Sequence, residues 1–285
     1  MIEGSYQGFD IELRDGVGVL TFGHPERLNA IGPGAKRDLC QVMALAQLDD
    51  DLRVLVLTGT GRAFVAGVDN QRATPEPPTL AQAMPVARRA QVTLYGRLAH
   101  LAQEPVRAIR RLDKPTIAAV NGYAIQLGLS ITLACDFAIA ARSARLGSAT
   151  LRMGWQPDEG GHWLLVEHLG TKGALDFLIG KRIVDADEAL RLGLVNEVVD
   201  DDAVVTRAVE LAAELAAGPQ VAMRLLKKAV YNAAHLSFEQ AGDDMATKTA
   251  ISDFHADAED GSKAFFEKRP PVFNTWLDDE AEPTP

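Results

Sequence analysis

Two uninterrupted apolar runs, each cut off by glycine, constrain this chain more than any other feature. Arg53–Thr58 (RVLVLT) stops at Gly59-Thr60-Gly61, and Thr116–Val120 (TIAAV) stops at Asn121-Gly122. Continuous Val, Leu, Ile and Ala suit strands buried on both faces. A helix-like segment at 127–134 then precedes a third run, Asp136–Ala141. Strand-then-helix units pair in parallel, so the predicted class is α/β rather than a β-sandwich.

The flanking segments extend this pattern. Residues 11–22 alternate as a hairpin turning at Asp15-Gly16. Leu39, Val42, Met43, Leu45 and Ala46 recur at helical spacing between Pro33 and Leu48, with Pro33 tolerable in a first turn. Prolines at 75, 77, 78 and 85 predict a loop before a helix-like stretch over 87–111. Beyond 161 the pattern is almost entirely helical, with pieces at 161–169, 172–179, 185–192, 203–217, 219–234 and 236–267 and one strand at Asn196–Val199. The expected organisation is a core over 1–200, a helical region over 201–268, and a tail over 269–285 that ends in an acidic, Pro-containing stretch.

Composition narrows the function. With 29 basic against 39 acidic residues and a net charge of −10, no basic face is available to track a phosphate backbone, so no nucleic-acid partner is expected. Cys40 and Cys135 carry no spacing partner, which supports neither a zinc site nor a disulfide framework. The N-terminus has no basic-then-apolar leader, and no apolar run approaches a membrane span. A reduced, cytoplasmic compartment is the expectation, with no membrane partner.

Several common sites are missing. No G-x-G-x-x-G follows a strand, and no G-x-x-x-x-G-K-[ST] is present. Thr132 stands where a hydrolase elbow around Ser130 needs glycine. His162 and His168 lie six apart on a predicted helix and so face different ways, which makes a poor metal pair. What remains are two glycine-bearing turns after buried strands, Ala63-Phe64-Val65-Ala66-Gly67-Val68-Asp69 and Asn121-Gly122-Tyr123-Ala124-Ile125-Gln126-Leu127-Gly128. Two backbone N–H groups converging there on one oxygen would make an oxyanion hole. The plainer reading is a pair of ordinary strand-to-helix turns.

At this point a resemblance enters. Pro25-Glu26-Arg27-Leu28-Asn29-Ala30, the two glycine turns, Lys114-Pro115-Thr116-Ile117-Ala118-Ala119-Val120-Asn121-Gly122, Cys135-Asp136, Gly193-Leu194-Val195-Asn196 and Phe265-Phe266-Glu267-Lys268-Arg269-Pro270 together resemble the crotonase (enoyl-CoA hydratase/isomerase) superfamily, in its order. The resemblance implies a spiral of ββα repeats with a C-terminal helical trimerisation region. It implies a homotrimer or dimer of trimers, an acyl-CoA thioester as substrate, and no cofactor beyond the coenzyme A of that substrate. The oxyanion donors would fall at Val68 and at Leu127, where the family usually has glycine. Arg27, Leu28, Ala66 and Asp69 would cradle coenzyme A, and Lys268 would reach the phosphates bound by a neighbouring subunit.

Departures from the family bear on the reaction. The positions of the two hydratase glutamates hold Ser130 and Thr150, neither of which is an ordinary base near neutral pH. A different acidic pair, Asp158-Glu159, follows Pro157; Asp158 falls where isomerase and dehalogenase branches place an aspartate, and Glu159 near the acid of the carbon–carbon hydrolase branch. The local alternative is that Asp158 is a helix N-cap and Glu159 a first-turn dipole partner. Trp155 and Trp163 flank the turn as pocket walls or core, and His162 is a helper acid or a surface histidine. The expected reaction is double-bond migration by Asp158 or Glu159. Hydration, C–C hydrolysis and catalytically silent acyl-CoA binding are the alternatives.

Overall fold

A computed structural model describes residues 2–69 and 102–277, together with Tyr95 and Leu98. The proline-rich loop expected at 73–86 and most of the helix expected from 87 lie outside these residues. So does the acidic end of the tail.

The first strands are β1 (Gly4–Tyr6), β2 (Phe9–Arg14) and β3 (Val17–Phe22). β2 and β3 pair with Arg14 opposite Val17. Asp15 and Gly16 both take positive φ, 51° and 80°, as a two-residue hairpin turn requires. Helix α1 (Pro33–Ala46) follows with Pro33 in its first turn.

From there the chain alternates between two sheets. β4 (Val54–Gly59), β6 (Thr116–Val120) and β8 (Phe137–Ala141) join the larger sheet; β5 (Ala63–Val65), β7 (Tyr123–Ile125) and β9 (Arg145–Gly147) join the smaller. Later come β10 (Ile183–Asp185) in the small sheet and β11 (Glu197–Val199) in the large one. The large sheet runs β1-β2-β3-β4-β6-β8-β11, parallel from β3 onward, and the small one runs β10-β9-β7-β5. Every repeat therefore contributes one long strand and one short strand, which is a spiral of ββ units with helices between them. The short strands β5, β7, β9 and β10 escaped the sequence reading because three residues next to a glycine turn carry no measurable period.

The remaining helices are α2 (Glu104–Arg111), α3 (Leu127–Ala134), α4 (Gly161–Ile179), α5 (Ala186–Arg191), α6 (Val204–Ala216), α7 (Gln220–Ala233), α8 (Phe238–Asp253) and α9 (Ala256–Glu267). All eight residues of α3 are buried, because it packs against strands of both sheets as well as α2 and α4. α6 lies on β3, β4, β6 and β8 through a stripe of Val204, Ala208, Ala212 and Ala216 at four-residue spacing. The two helices expected over 161–179 form α4 with a break at Gly170, where φ is 66°. The single helix expected over 236–267 is two: Ser237 and Gln240 make a capping box at α8, and the His255 ring accepts the Asp257 N–H to start α9.

Asp136 ties α7 to the sheet. Its carboxylate accepts the Thr116 N–H at 2.7 Å and hydroxyl at 2.9 Å, the Lys227 ammonium at 2.7 Å and the Tyr231 hydroxyl at 2.6 Å. In the FFEKRP segment, Arg269 makes a two-pronged pair with Asp260, at 2.6 and 3.2 Å, that anchors the chain leaving α9.

Candidate active site

The first expected donor is set by a strap. Residues 24–31 cross the glycine turn after β5, held there by the buried Asn29 amide, which donates to Thr60 O at 2.9 Å and Ala63 O at 2.8 Å. Leu28 O accepts the Ala66 N–H at 3.0 Å. Ile31 bridges Val68 in parallel: Ile31 N–H donates to Gly67 O and Ile31 O accepts the Asp69 N–H. In that pattern the N–H of Val68 itself faces away from the strap. It has no acceptor among the described residues.

The second expected donor opens α3. Leu127 is the first residue of that helix, so its N–H has no partner within the helix. Gln126, just before it, has φ 54° and ψ −100°, a conformation costing a residue with a side chain about 1–3 kcal/mol. The two turns touch, since a Cβ on Gly67 would lie 4.0 Å from Gln126 Cβ and 3.8 Å from Ile125 O. Leu127 itself is fully buried.

Both acids of the 157–161 bend are present beside these turns. Glu159 is only 2% exposed and accepts the Gln126 side-chain N–H at 2.9 Å. Gln126 Oε1 in turn accepts the Ser148 hydroxyl at 2.7 Å and the Thr150 hydroxyl at 3.3 Å. Asp158 is half-buried, and its charge acts on the neighbouring Glu159 carboxyl. Burial pushes the Glu159 carboxyl above its ordinary value, the Gln126 amide opposes that, and the neighbouring Asp158 adds to the rise. Lys36, half-buried on α1, lies within electrostatic reach of both acids; burial lowers its own pKa against their pull.

The capping alternative for the two acids does not hold. The residue that caps α4 is Gly160, in a left-handed conformation and with no side-chain cap. Asp158 and Glu159 precede it, and the Glu159 carboxylate accepts from Gln126 instead. Trp155 and Trp163 are 56% and 40% exposed, so the core reading of these two is corrected. Trp163 lies beside the His235 ring, tilted by 33°, with the Arg110 guanidinium 4.7 Å above its own ring. His162 is exposed, and the described residues hold no cluster of His, Cys, Asp and Glu able to bind a metal.

The hydratase positions are filled by hydroxyls that belong to the same site. Ser130 is buried on α3, and its Oγ stands 2.3 Å from where a Cβ on Gly161 would be. Thr150 joins the Gln126 chain. Arg27 and Asp69 meet each other as an ion pair at the edge of the strap. Lys268 is exposed at the end of α9. Sequence reasoning missed Gln126, Ser148 and Lys36. The signal for the first was a lone amide inside the apolar stretch Ala124–Ala134; nothing in the order of residues links the other two to it.

Comparison with known proteins agrees with this frame. Residues 12–276 match the family described as enoyl-CoA hydratase/isomerase. The chain belongs to this family, the crotonase superfamily. It is 34% identical over 260 residues to the 1,2-epoxyphenylacetyl-CoA isomerase of Escherichia coli K12, covering 90% of this chain and 95% of that one. It is 30% identical to the (E)-benzylidenesuccinyl-CoA hydratase of Thauera aromatica, covering 92% and 97%. The solved structure of an enoyl-CoA hydratase/isomerase from Cupriavidus metallidurans CH34 superposes with a TM-score of 0.83 at 28% identity, covering 95% and 97%. As a member of this family the chain is an enzyme that acts on CoA thioesters. No helix among the described residues is long and apolar enough to cross a membrane.

Proposed function

We propose that this enzyme moves a carbon–carbon double bond in an acyl-CoA thioester. In the proposed step, the Asp158–Glu159 pair takes a proton from C2 of a 3-enoyl-CoA. The electron pair moves onto the thioester oxygen, and the Val68 and Leu127 N–H groups stabilise the resulting dienolate. The same carboxyl pair returns the proton at C4, giving the 2-enoyl-CoA. No water or redox partner enters this balance, so no cofactor is required beyond the substrate's own coenzyme A. Arg27, Leu28, Ala66 and Asp69 line the strap proposed to hold the coenzyme A chain.

The observation that carries this reading is the placement of the acids. Asp158 is half-buried, whereas Glu159 beside it in the chain is buried and bonded to Gln126, the residue that precedes Leu127. Asp158 is the member assigned to meet substrate, and Glu159, held by the Gln126 amide, is its buried neighbour. A hydratase would instead need a second base for water, and the positions for it hold Ser130 and Thr150.

The test is turnover of 3-hexenoyl-CoA by wild type, Asp158→Asn and Glu159→Gln, with product identified by mass spectrometry in deuterated water. The expected result is 2-enoyl-CoA carrying solvent deuterium, with Asp158→Asn losing about 10²–10⁴-fold in kcat. Net formation of 3-hydroxyacyl-CoA at a comparable rate would replace isomerisation by hydration. Binding of the thioester without any turnover would leave a silent binding protein.

The same proposal extends to assembly. Phe238, Phe254, Phe265 and Phe266, on or next to α8 and α9, are exposed, and a homotrimer or dimer of trimers would bury such surface. Lys268, at the end of α9, would then face the phosphates of coenzyme A in a neighbouring subunit.

A further inference from the structure

Gln126 carries an unusual combination of constraints. A positive φ is inexpensive for glycine and expensive for glutamine, yet glutamine occupies the position, 7% exposed. Its backbone does two jobs: its N–H donates to Gly147 O at 2.8 Å, and its carbonyl accepts the Ser130 N–H at 2.9 Å. A glycine could do both. The side chain makes the difference, because it spans from the hydroxyls after β9 to the carboxyl before α4. Ser148 and Thr150 both donate to Oε1, and Nε2 donates to Glu159 Oε2.

The Glu159 carboxylate, an acceptor only, fixes the direction of the amide: Nε2 faces it, and Oε1 is left to the Ser148 and Thr150 hydroxyls, which donate. A buried carboxyl with such a donor is held in one orientation, and it is the carboxyl next to Asp158 in the chain. The residue that follows Gln126 is the one whose N–H opens α3. Movement of Gln126 would therefore disturb the acid pair and the Leu127 donor together.

We infer that Gln126 is a positioning residue that sets the Asp158–Glu159 pair against the Leu127 donor, acting through the Ser148–Gln126–Glu159 hydrogen-bond chain. The inference rests on the acid/base role proposed above for the pair. It also accounts for a strained glutamine being kept where glycine would fit the backbone better. The titratable groups facing Glu159 are Asp158 on its own turn and Lys36 from α1, and the test leaves Lys36 unchanged.

The experiment measures kcat and KM for 3-hexenoyl-CoA from about pH 5 to about pH 10 in wild type, Gln126→Gly, Ser148→Ala and Asp158→Asn. Circular dichroism confirms folding. Gln126→Gly suits the backbone and removes only the amide. It is expected to lower kcat about 10²-fold, with KM within about 3-fold. The amide donates to the charged carboxylate, so its loss moves the acidic limb of the kcat profile to higher pH. Ser148→Ala is expected to shift the limb the same way by less, and it carries the test if the glycine variant does not fold. An unmoved limb in both variants, with Asp158→Asn inactive, overturns the role of Gln126 alone. Wild-type turnover by Asp158→Asn and by the Glu159→Gln variant overturns the acid/base reading, and the role of Gln126 falls with it.

Discussion

Gly128 is packed so closely beneath Val65 that a β-carbon at 128 would lie 1.9 Å from the Val65 carbonyl oxygen. That contact presses the start of α3 against β5 and so brings the Leu127 turn beside the turn that carries Val68. Gly128→Ala must push the helix away from the strand. It is expected to destabilise the protein by about 1–3 kcal/mol and to abolish turnover of the folded fraction. Leu127→Ala contrasts with it: truncating a buried leucine costs about 2–5 kcal/mol, but the N–H proposed as donor remains and kcat per folded molecule is expected to stay within about 3-fold. Urea unfolding alongside turnover separates the two effects.

Asp136 serves three partners from two chain regions, and the Lys227 ammonium beside it is 9% exposed. Asp136→Ala leaves that ammonium buried without its counter-charge, at a cost of about 3–5 kcal/mol. Burial, reinforced by Asp136, raises the Tyr231 pKa well above the ordinary phenol value. Absorbance titration should show Tyr231 ionising late in wild type and earlier in a folded Asp136→Asn variant, read in a Tyr6→Phe background because Tyr6 is raised as well. If all tyrosines titrate together in both, the hub is not holding Tyr231.

The Asp260 carboxyl sits at about 2, held down by the Arg269 guanidinium and then by the Val272 N–H. A carboxylate depressed by folding stabilises the native state above its ordinary value of 3.8, and that contribution is lost as pH falls from there toward 2. Asp260→Asn should lower Tm at neutral pH, with the difference from wild type closing across the same acid window. Calorimetric scans at a series of pH values read this directly.

Phe265 and Phe266 are 79% and 80% exposed at the end of α9. If they lie in a subunit contact, replacing both with serine should convert the assembly to smaller species with the fold of each chain kept. Light scattering on wild type and variant decides this; an unchanged mass would remove these residues from the interface.

Much of this protein follows from local order. The β2–β3 hairpin, α1, β4, β6, α3 and β8 are legible because apolar periodicity and turn glycines act over a few residues, and the blocks around Asn29, Gly67, Asn121 and Asp136 are family marks along the chain. Position alone also brought Asp158 and Glu159 forward. Only the folded chain decided where those acids sit: neither caps α4, and Glu159 is buried against Gln126. The small sheet, the Ser148–Gln126–Glu159 chain and the approach of Lys36 join segments far apart in sequence. Such contacts depend on packing distances of a few ångströms, which no single segment encodes in its own residues.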